Sequence, residues 1–129
     1  MTSLDTNILV RYLTQDDEAQ FRKILKMLSR QRASFFVCDI VLAETDWVLR
    51  SLYHWTRDEV ADAFTRLTTI HNLAFENEER LRASIKGLRD GADLADELIV
   101  RTSRDQGGSE FATFDKGILK RHKPFAISP

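Results

Sequence analysis

Short apolar runs alternate with longer amphipathic stretches along the chain, and this alternation limits the fold more than any other feature of the sequence. The short runs that we predict as strands are residues 2–4, 35–37, 73–75, 111–114 and 124–127. The stretches between them place apolar residues three and four positions apart, which is typical of helices. Strands that alternate with helices predict an α/β domain with a central, mostly parallel sheet, because parallel strands need a crossover connection.

Length and composition agree with one globular domain over residues 1–129, since domains usually have about 100–200 residues. Hydrophobic residues make up 43% and charged residues 30% of the chain, which argues against disorder. No apolar run approaches the roughly 20 residues that a membrane span needs. The start of the chain lacks the basic and then apolar pattern of a signal peptide. Because Cys38 is also the only cysteine, we expect a cytoplasmic protein without disulfides and without a membrane partner.

The balance of charge excludes nucleic-acid binding by overall positive charge. The chain has 19 lysines and arginines against 20 aspartates and glutamates, which gives a formal net charge of −1. Proteins that hold nucleic acid by bulk charge are strongly basic. If the partner is a polyanion, a bound metal ion would offset the repulsion.

Most of the acidic residues have an ordinary structural explanation. Acids with an arginine four residues later, a spacing typical of an exposed helix face, are Glu18, Asp46, Asp62, Glu76, Glu78 and Glu97. Acids placed to cap or begin a helix are Asp16, Asp17, Asp39, Asp58 and Glu59. We therefore expect these residues to lie on the surface or at helix ends.

Four of the remaining acids stand at positions that suggest a function: Asp5, Glu44, Asp96 and Asp115. Glu44 and Asp96 have apolar neighbours one helical turn away, so we expect both to face the core. Asp5 and Asp115 directly follow predicted strands, at the edge where parallel sheets place their sites. An ion pair with a distant arginine would satisfy either helical acid alone. If the four converge, a hard divalent cation such as Mg²⁺ or Mn²⁺ is the natural partner.

Four segments of the chain match, in order, the motifs of a known family. They are residues 4–13 with Asp5-Thr6-Asn7 after the first strand, residues 40–49 with Glu44, residues 93–99 with Asp96, and residues 113–116 with Asp115. In these segments the chain resembles the PIN-domain ribonucleases, and within them the VapC-type toxins of bacterial toxin–antitoxin pairs. The resemblance covers nearly the whole chain.

The resemblance implies a three-layer α/β/α domain and a metal-dependent endoribonuclease that uses Mg²⁺ or Mn²⁺. It also implies a homodimer, a cognate antitoxin of the VapB type, and a structured RNA substrate, most often transfer RNA. A water activated by the metal would attack the phosphodiester. The products would have 5′-phosphate and 3′-hydroxyl ends.

The same resemblance assigns roles to individual residues. Asp5, Glu44 and Asp96 would form the main acidic set, which Asp115 would complete. The metal ligands would be Asp5, Asp96 and Asp115, and Glu44 would bind metal or position the water. The supporting residues would be Thr6, Asn7, Asp93 and Thr113. A solvated acid in the first turn of a helix explains Asp93 equally well.

Contacts to RNA must come from local clusters of basic residues, because the chain as a whole has no net positive charge. A cluster beside Asp115 is the first candidate and consists of Lys116, Lys120, Arg121 and Lys123. A second basic stretch consists of Arg22, Lys23, Lys26, Arg30 and Arg32. Bases also favour helix C-termini, which is the purely structural explanation of both groups.

Three other functions are weaker alternatives. A flap- or DNA-directed nuclease is disfavoured because the chain has no arch or clamp insertion. A haloacid-dehalogenase-type phosphatase needs Asp-x-Asp after the first strand. This chain has Asn7 in place of the second aspartate. A catalytically weak domain that only binds RNA or protein remains open, although such a module has no need for acids on apolar faces.

The two tryptophans are assigned to different environments. Trp47 shares the helical stripe of Glu44 and is predicted to lie in the core. Trp55 stands beside a predicted helix boundary. We expect it to be the interface residue, since aromatic anchors are enriched at interfaces.

Overall fold

The computed structural model describes residues 1–129 and contains seven helices and five short strands. The helices are α1 (Thr6–Thr14), α2 (Glu18–Leu28), α3 (Asp39–Ser51), α4 (Arg57–Leu67), α5 (Glu78–Arg89), α6 (Leu94–Asp105) and α7 (Lys116–Arg121). The strands are β1 (Thr2–Ser3), β2 (Phe35–Val37), β3 (Leu73–Phe75), β4 (Phe111–Ala112) and β5 (Ala126–Ile127). The predicted α/β class is confirmed. None of the helices has both the length and the apolar character that crossing a lipid bilayer requires.

All strand pairs are parallel, as predicted, but their hydrogen bonds form two sheets instead of one central sheet. The first sheet has the order β1-β2-β3, with Phe35 of β2 between Thr2 and Leu73. The second sheet pairs β4 with β5. The two-residue strand β4 packs on a small core of its own, formed by Val100, Ile118 and Ala126. This separate packing accounts for the division of the sheet.

The main core contains 17 buried residues from the first sheet and from helices α1, α3, α4, α5 and α6. Its largest fully buried side chains are Phe35 and Phe64. Trp55 packs half-buried against this core, whereas Trp47 is 60% exposed. The prediction that Trp47 lies in the core is therefore wrong, because its face of α3 points away from the core, whereas the interface role of Trp55 stays a prediction.

The core-facing side of α3 is formed by Leu42, Thr45, Asp46 and Leu49. These positions repeat at i, i+3, i+4 and i+7, the spacing of one helix face. Glu44 lies outside this face and is exposed, so the prediction that it points to the core is wrong. Apolar residues occur on almost all sides of α3. Two of the four residues on its core-facing side are polar, so hydrophobic periodicity does not identify that side.

Buried ion pairs connect the helices that bear the predicted acids. Arg50 donates two hydrogen bonds of 2.8 Å to Asp46, and its Nη2 atom lies 3.6 Å from Asp93 Oδ2 at the start of α6. Asp46, predicted to be exposed, is only 2% exposed. The spacing of a charge pair along one helix does not reveal which way the pair faces. Arg50 thereby links α3 to the first turn of α6.

A second buried arginine joins three helices. Arg80 of α5 donates to Asp39 at 2.9 Å and to Asp105 at 2.8 Å, and it therefore ties α5 to α3 and α6. Asp39 was predicted as a helix cap, but Cys38 occupies the cap position and makes no side-chain cap bond. Burial raises the pKa of Asp39 despite this arginine. The side chain is therefore a packed polar contact between helices.

Candidate active site

Three of the acids singled out from the sequence cap helices. Asp5 accepts a hydrogen bond from the backbone N–H of Ile8 at the start of α1, at 3.3 Å. Asp115 does the same for Ile118 in α7, at 2.9 Å. Asp93 accepts from the N–H of Asp96 in α6, at 3.0 Å. A cap satisfies a free backbone donor and places the carboxylate at the positive end of the helix dipole.

Two of these helix starts meet in one cavity of about 210 Å³. Asp93 and Asp96 from α6 and Asp115 from α7 line it, and we call it the acidic pocket. Arg57 and Arg121 also line the acidic pocket. The Nη1 atom of Arg57 donates to the carbonyl oxygen of Ala92, which holds this arginine at the start of α6. Glu97 also lines the acidic pocket, which therefore contains four carboxylates with two arginines beside them.

Negative charge is concentrated around Asp96. The carboxyl group is half-buried, and burial is the largest cause that raises its pKa. The neighbouring charges of Asp93, Asp115 and Glu97 raise the pKa further. Such a group gains from binding a proton or a cation, because either one reduces the repulsion.

Asp5 and Glu44 do not line the acidic pocket. Asp5 follows β1 at the carboxyl edge of the first sheet, and its only side-chain hydrogen bond is the cap to Ile8. Glu44 lines a separate groove of about 500 Å³ between α3 and α6, together with Ile40 and Ile99. The structure thus brings Asp93, Asp96 and Asp115 together and leaves the other two predicted acids outside.

The predicted supporting residues differ in their contacts. Thr113 Oγ1 accepts the backbone N–H of Asp115 at 3.0 Å, which fixes the turn before α7. Asp93 supports Asp96 through the cap described above. Thr6 and Asn7 lie in the first turn of α1, and their side chains make no hydrogen bond to any of the predicted acids.

The predicted RNA-contacting cluster is divided by the structure. Lys116 and Lys120 are exposed on α7 and lie outside the acidic pocket. Arg121 lines the acidic pocket, and Arg121 and Lys123 both line a neighbouring cavity. Only half of the cluster therefore faces the two cavities at this end of the fold.

The predicted metal ligands Asp5, Asp96 and Asp115 do not form a ready-made coordination site. No group of three or more His, Cys, Asp or Glu side chains stands close enough to hold a metal ion. The donor chemistry of the acidic pocket is nevertheless suitable, since its carboxylates are the ligands that Mg²⁺ and Mn²⁺ prefer. Burial, and then the neighbouring carboxylates, raise the pKa of Asp96, and a bound cation would reduce the second effect.

One important residue of this region was misassigned from the sequence. Glu97 was expected to pair with Arg101 on the surface, yet it is 3% exposed. Its carboxylate hydrogen-bonds with Nε2 of His122, which is also buried, and lies 3.4 Å from Arg101 Nη2. His122 follows α7 directly as its C-cap. The contact therefore fastens α7, with Asp115 at its start, against α6, with Asp96.

Gly87 makes room for this contact. A Cβ atom on Gly87 would overlap the carboxylate of Glu97, so the glycine leaves the space that this carboxylate occupies between α5 and α6. Glycine in a helix interior costs about 1 kcal/mol relative to alanine. A glycine inside the amphipathic pattern of residues 78–89 is the sequence signal that could have indicated a close contact with α6.

Gly87→Ala tests this packing. The substitution should lower the free energy of unfolding by about 1–3 kcal/mol, because the added methyl group displaces a buried carboxylate. Urea denaturation of the wild type, Gly87→Ala, Glu97→Ala and the double variant provides the measurement. The account predicts that Glu97→Ala costs less in the Gly87→Ala background than in the wild type. Strictly additive costs would show that the glycine is not required for the Glu97 contact.

Comparison with known proteins identifies the family. A family model described as the PIN domain matches residues 3–123, which include all seven helices and the strands β2, β3 and β4. No curated protein matches the chain significantly. PIN domains are typically metal-dependent nucleases, in agreement with the carboxylates of the acidic pocket. The chain therefore belongs to the PIN domain family.

Proposed function

We propose that this PIN domain is an endoribonuclease dependent on Mg²⁺ or Mn²⁺ and the toxin of a toxin–antitoxin pair. The proposed substrate is structured RNA, with transfer RNA as the expected class. The observation that supports it most is the convergence of Asp93, Asp96 and Asp115 on one pocket. The four motifs that resemble VapC-type toxins support the narrower assignment.

The carboxylates of Asp96 and Asp115 would hold the cation, and only the motif resemblance supports a contribution from Asp5, which does not line the acidic pocket. When bound, such an ion lowers the pKa of a water ligand and stabilises charge on the phosphate oxygens. Glu44 lies outside the acidic pocket, so its predicted catalytic role has no support from its placement.

The other residues of the pocket position the substrate. Arg57 and Arg121 line the same cavity as the carboxylates, and their guanidinium groups suit the binding of a phosphate. Asp93 orients the first turn of α6 through its cap. The bond between Thr113 and the N–H of Asp115 fixes the approach of α7. These contacts favour a phosphodiester held between cations on one side and carboxylates on the other.

Asp96→Asn should abolish RNA cleavage while leaving the fold intact. The amide keeps the shape of the side chain but removes the charge needed to hold the cation. The measurement is cleavage of labelled transfer RNA in Mg²⁺ or Mn²⁺ on denaturing gels, with thermal unfolding as the folding check. Asp62→Asn is the matched control, because Asp62 is exposed on α4 and pairs with Arg89 of α5.

The same assay includes removal of the metal. EDTA should stop cleavage by the wild type, and added Mg²⁺ or Mn²⁺ should restore it. The products should have 5′-phosphate ends. Cleavage by purified Asp96→Asn at the rate of the wild type, or cleavage that persists in EDTA, would sink the proposed mechanism.

A PIN domain that binds RNA or protein without cutting is the second candidate function. One observation favours it: no three potential ligands stand close enough to hold a metal ion. The cleavage assay separates the two functions. Binding of RNA without cleavage of any RNA in Mg²⁺ or Mn²⁺ would support the binding module.

The proposed partners are a second copy of the chain and an antitoxin of the VapB type. An exposed stripe on α3 supports the homodimer. Ile40 and Trp47 lie on this stripe and are 71% and 60% exposed. Ile99 of α6 lines the adjacent groove. Large apolar side chains that cluster at a surface are typical of an interface.

Only the motif resemblance supports the antitoxin. A short upstream gene for a DNA-binding protein would strengthen this proposal.

Trp47→Glu tests the dimer. If the stripe on α3 is the interface, a charge at its centre should convert a dimer into a monomer in light scattering. Leu25→Glu is the matched control, since Leu25 is an exposed apolar residue of α2, outside the stripe, and it should leave the dimer intact. A monomeric wild type, or a Trp47→Glu variant that stays dimeric, would contradict this assignment.

A further inference from the structure

A second cavity adjoins the acidic pocket and is rich in cations. It has a volume of about 440 Å³, and we call it the basic groove. The basic residues that line it are Lys86, Arg101, Arg104, Arg121 and Lys123. Glu97, Arg121 and His122 line both cavities, so the basic groove and the acidic pocket share a wall.

Little negative charge opposes these cations inside the groove. The two carboxylates among the lining residues are Asp90 and Glu97. Glu97 is buried and is already occupied by His122 and Arg101. Asp90 is left as the one exposed carboxylate in a cavity with five basic side chains. The groove therefore has a positive local charge in a chain whose net charge is −1.

The groove cations differ from most arginines of this protein. Arginines with a carboxylate within salt-bridge distance are Arg11, Arg22, Arg50, Arg80, Arg82, Arg89 and Arg101. Among the groove residues, Arg101 is the only member of this set. Lys86, Arg104, Arg121 and Lys123 have no such partner. Their charges remain available to an anion from outside the chain.

Two groove side chains are held in place without being neutralised. The guanidinium carbon of Arg104 lies 4.6 Å from the ring centre of Phe125. Arg121 Nη2 donates to the backbone carbonyl of Asp90 at 3.2 Å. Guanidinium groups fixed in this way lose less entropy when they bind a phosphate.

The groove extends along α6 away from the acidic pocket. At 1.5 Å per residue, Arg101 and Arg104 lie about 7.5 and about 12 Å along the helix axis from Asp96. The basic side chains are therefore spread over a length that can contact more than one phosphate of a strand next to the acidic pocket.

We propose that the basic groove binds the sugar–phosphate backbone of RNA beside the bond that is cut. The inference rests on the proposed function, because RNA is the polyanion whose cleavage the acidic pocket is proposed to catalyse. The contacts are to phosphates, so the groove positions the strand without selecting its sequence. Selection of the target would then depend on other parts of the protein or on the shape of the RNA.

Binding of a short fluorescein-labelled RNA hairpin, followed by anisotropy over a range of salt, tests the groove. Measurements in EDTA and in Ca²⁺ keep binding separate from cleavage. Lys86→Glu/Lys123→Glu should weaken binding by about tenfold and lower the salt slope by about two, because two phosphate contacts are lost. Arg66→Glu/Arg82→Glu, on α4 and α5, is the matched control with the same change of charge, because both arginines are exposed and lie outside the two cavities, and it should bind like the wild type.

Three results would overturn the inference: no binding of the hairpin by the wild type in either buffer, unchanged binding by the groove variant, or equal losses in both variants. Equal losses would indicate attraction by total charge. The proposed function is judged separately by the Asp96→Asn cleavage assay. A groove variant that binds normally, beside an inactive Asp96→Asn, would remove the groove and leave the nuclease.

Discussion

The buried contact between Glu97 and His122 determines how the acidic pocket is built. It fastens the C-terminal end of α7 to α6, and Asp115 stands at the other end of α7. Gly87 on α5 provides the space that this contact needs. Asp115 is thereby held near Asp96 although the two carboxylates repel each other, as the raised pKa of Asp96 shows. The free energy of this buried polar contact thus offsets the repulsion between the carboxylates. A bound cation would reduce that repulsion.

Opposite charges are divided between two neighbouring cavities of a chain whose net charge is −1. Carboxylates gather at the starts of α6 and α7, while basic side chains from α5, α6 and the end of α7 gather in the basic groove. A nuclease needs both kinds of surface, because cations hold the phosphates and carboxylates hold the catalytic ion. Net charge alone therefore does not describe the local charge of either cavity.

The sequence predicted the alternation of strands and helices and the parallel pairing, and it placed Asp115 in the connection between β4 and α7, although β4 ends at Ala112 and not at residue 114. It failed where orientation depends on tertiary packing. The i,i+4 rule placed Glu97 and Asp46 on the surface, because the rule describes spacing and not the direction in which a pair points. Capping was treated as an ordinary explanation that excludes function, yet Asp5 and Asp115 are caps themselves. The polar core positions of α3 led to the wrong face for Glu44.

The pKa of Asp96 with and without Mg²⁺ tests the central claim most directly, and carboxyl-carbon NMR measures it. Without metal the account predicts a pKa above the ordinary value for aspartate, because burial and like charges disfavour the ionised form. Mg²⁺ should lower this pKa, since a cation in the acidic pocket stabilises the carboxylate. Asp16, which pairs with Arg11 and Tyr53, is the internal reference and should not respond. A pKa of Asp96 that Mg²⁺ leaves unchanged would contradict a metal-binding pocket.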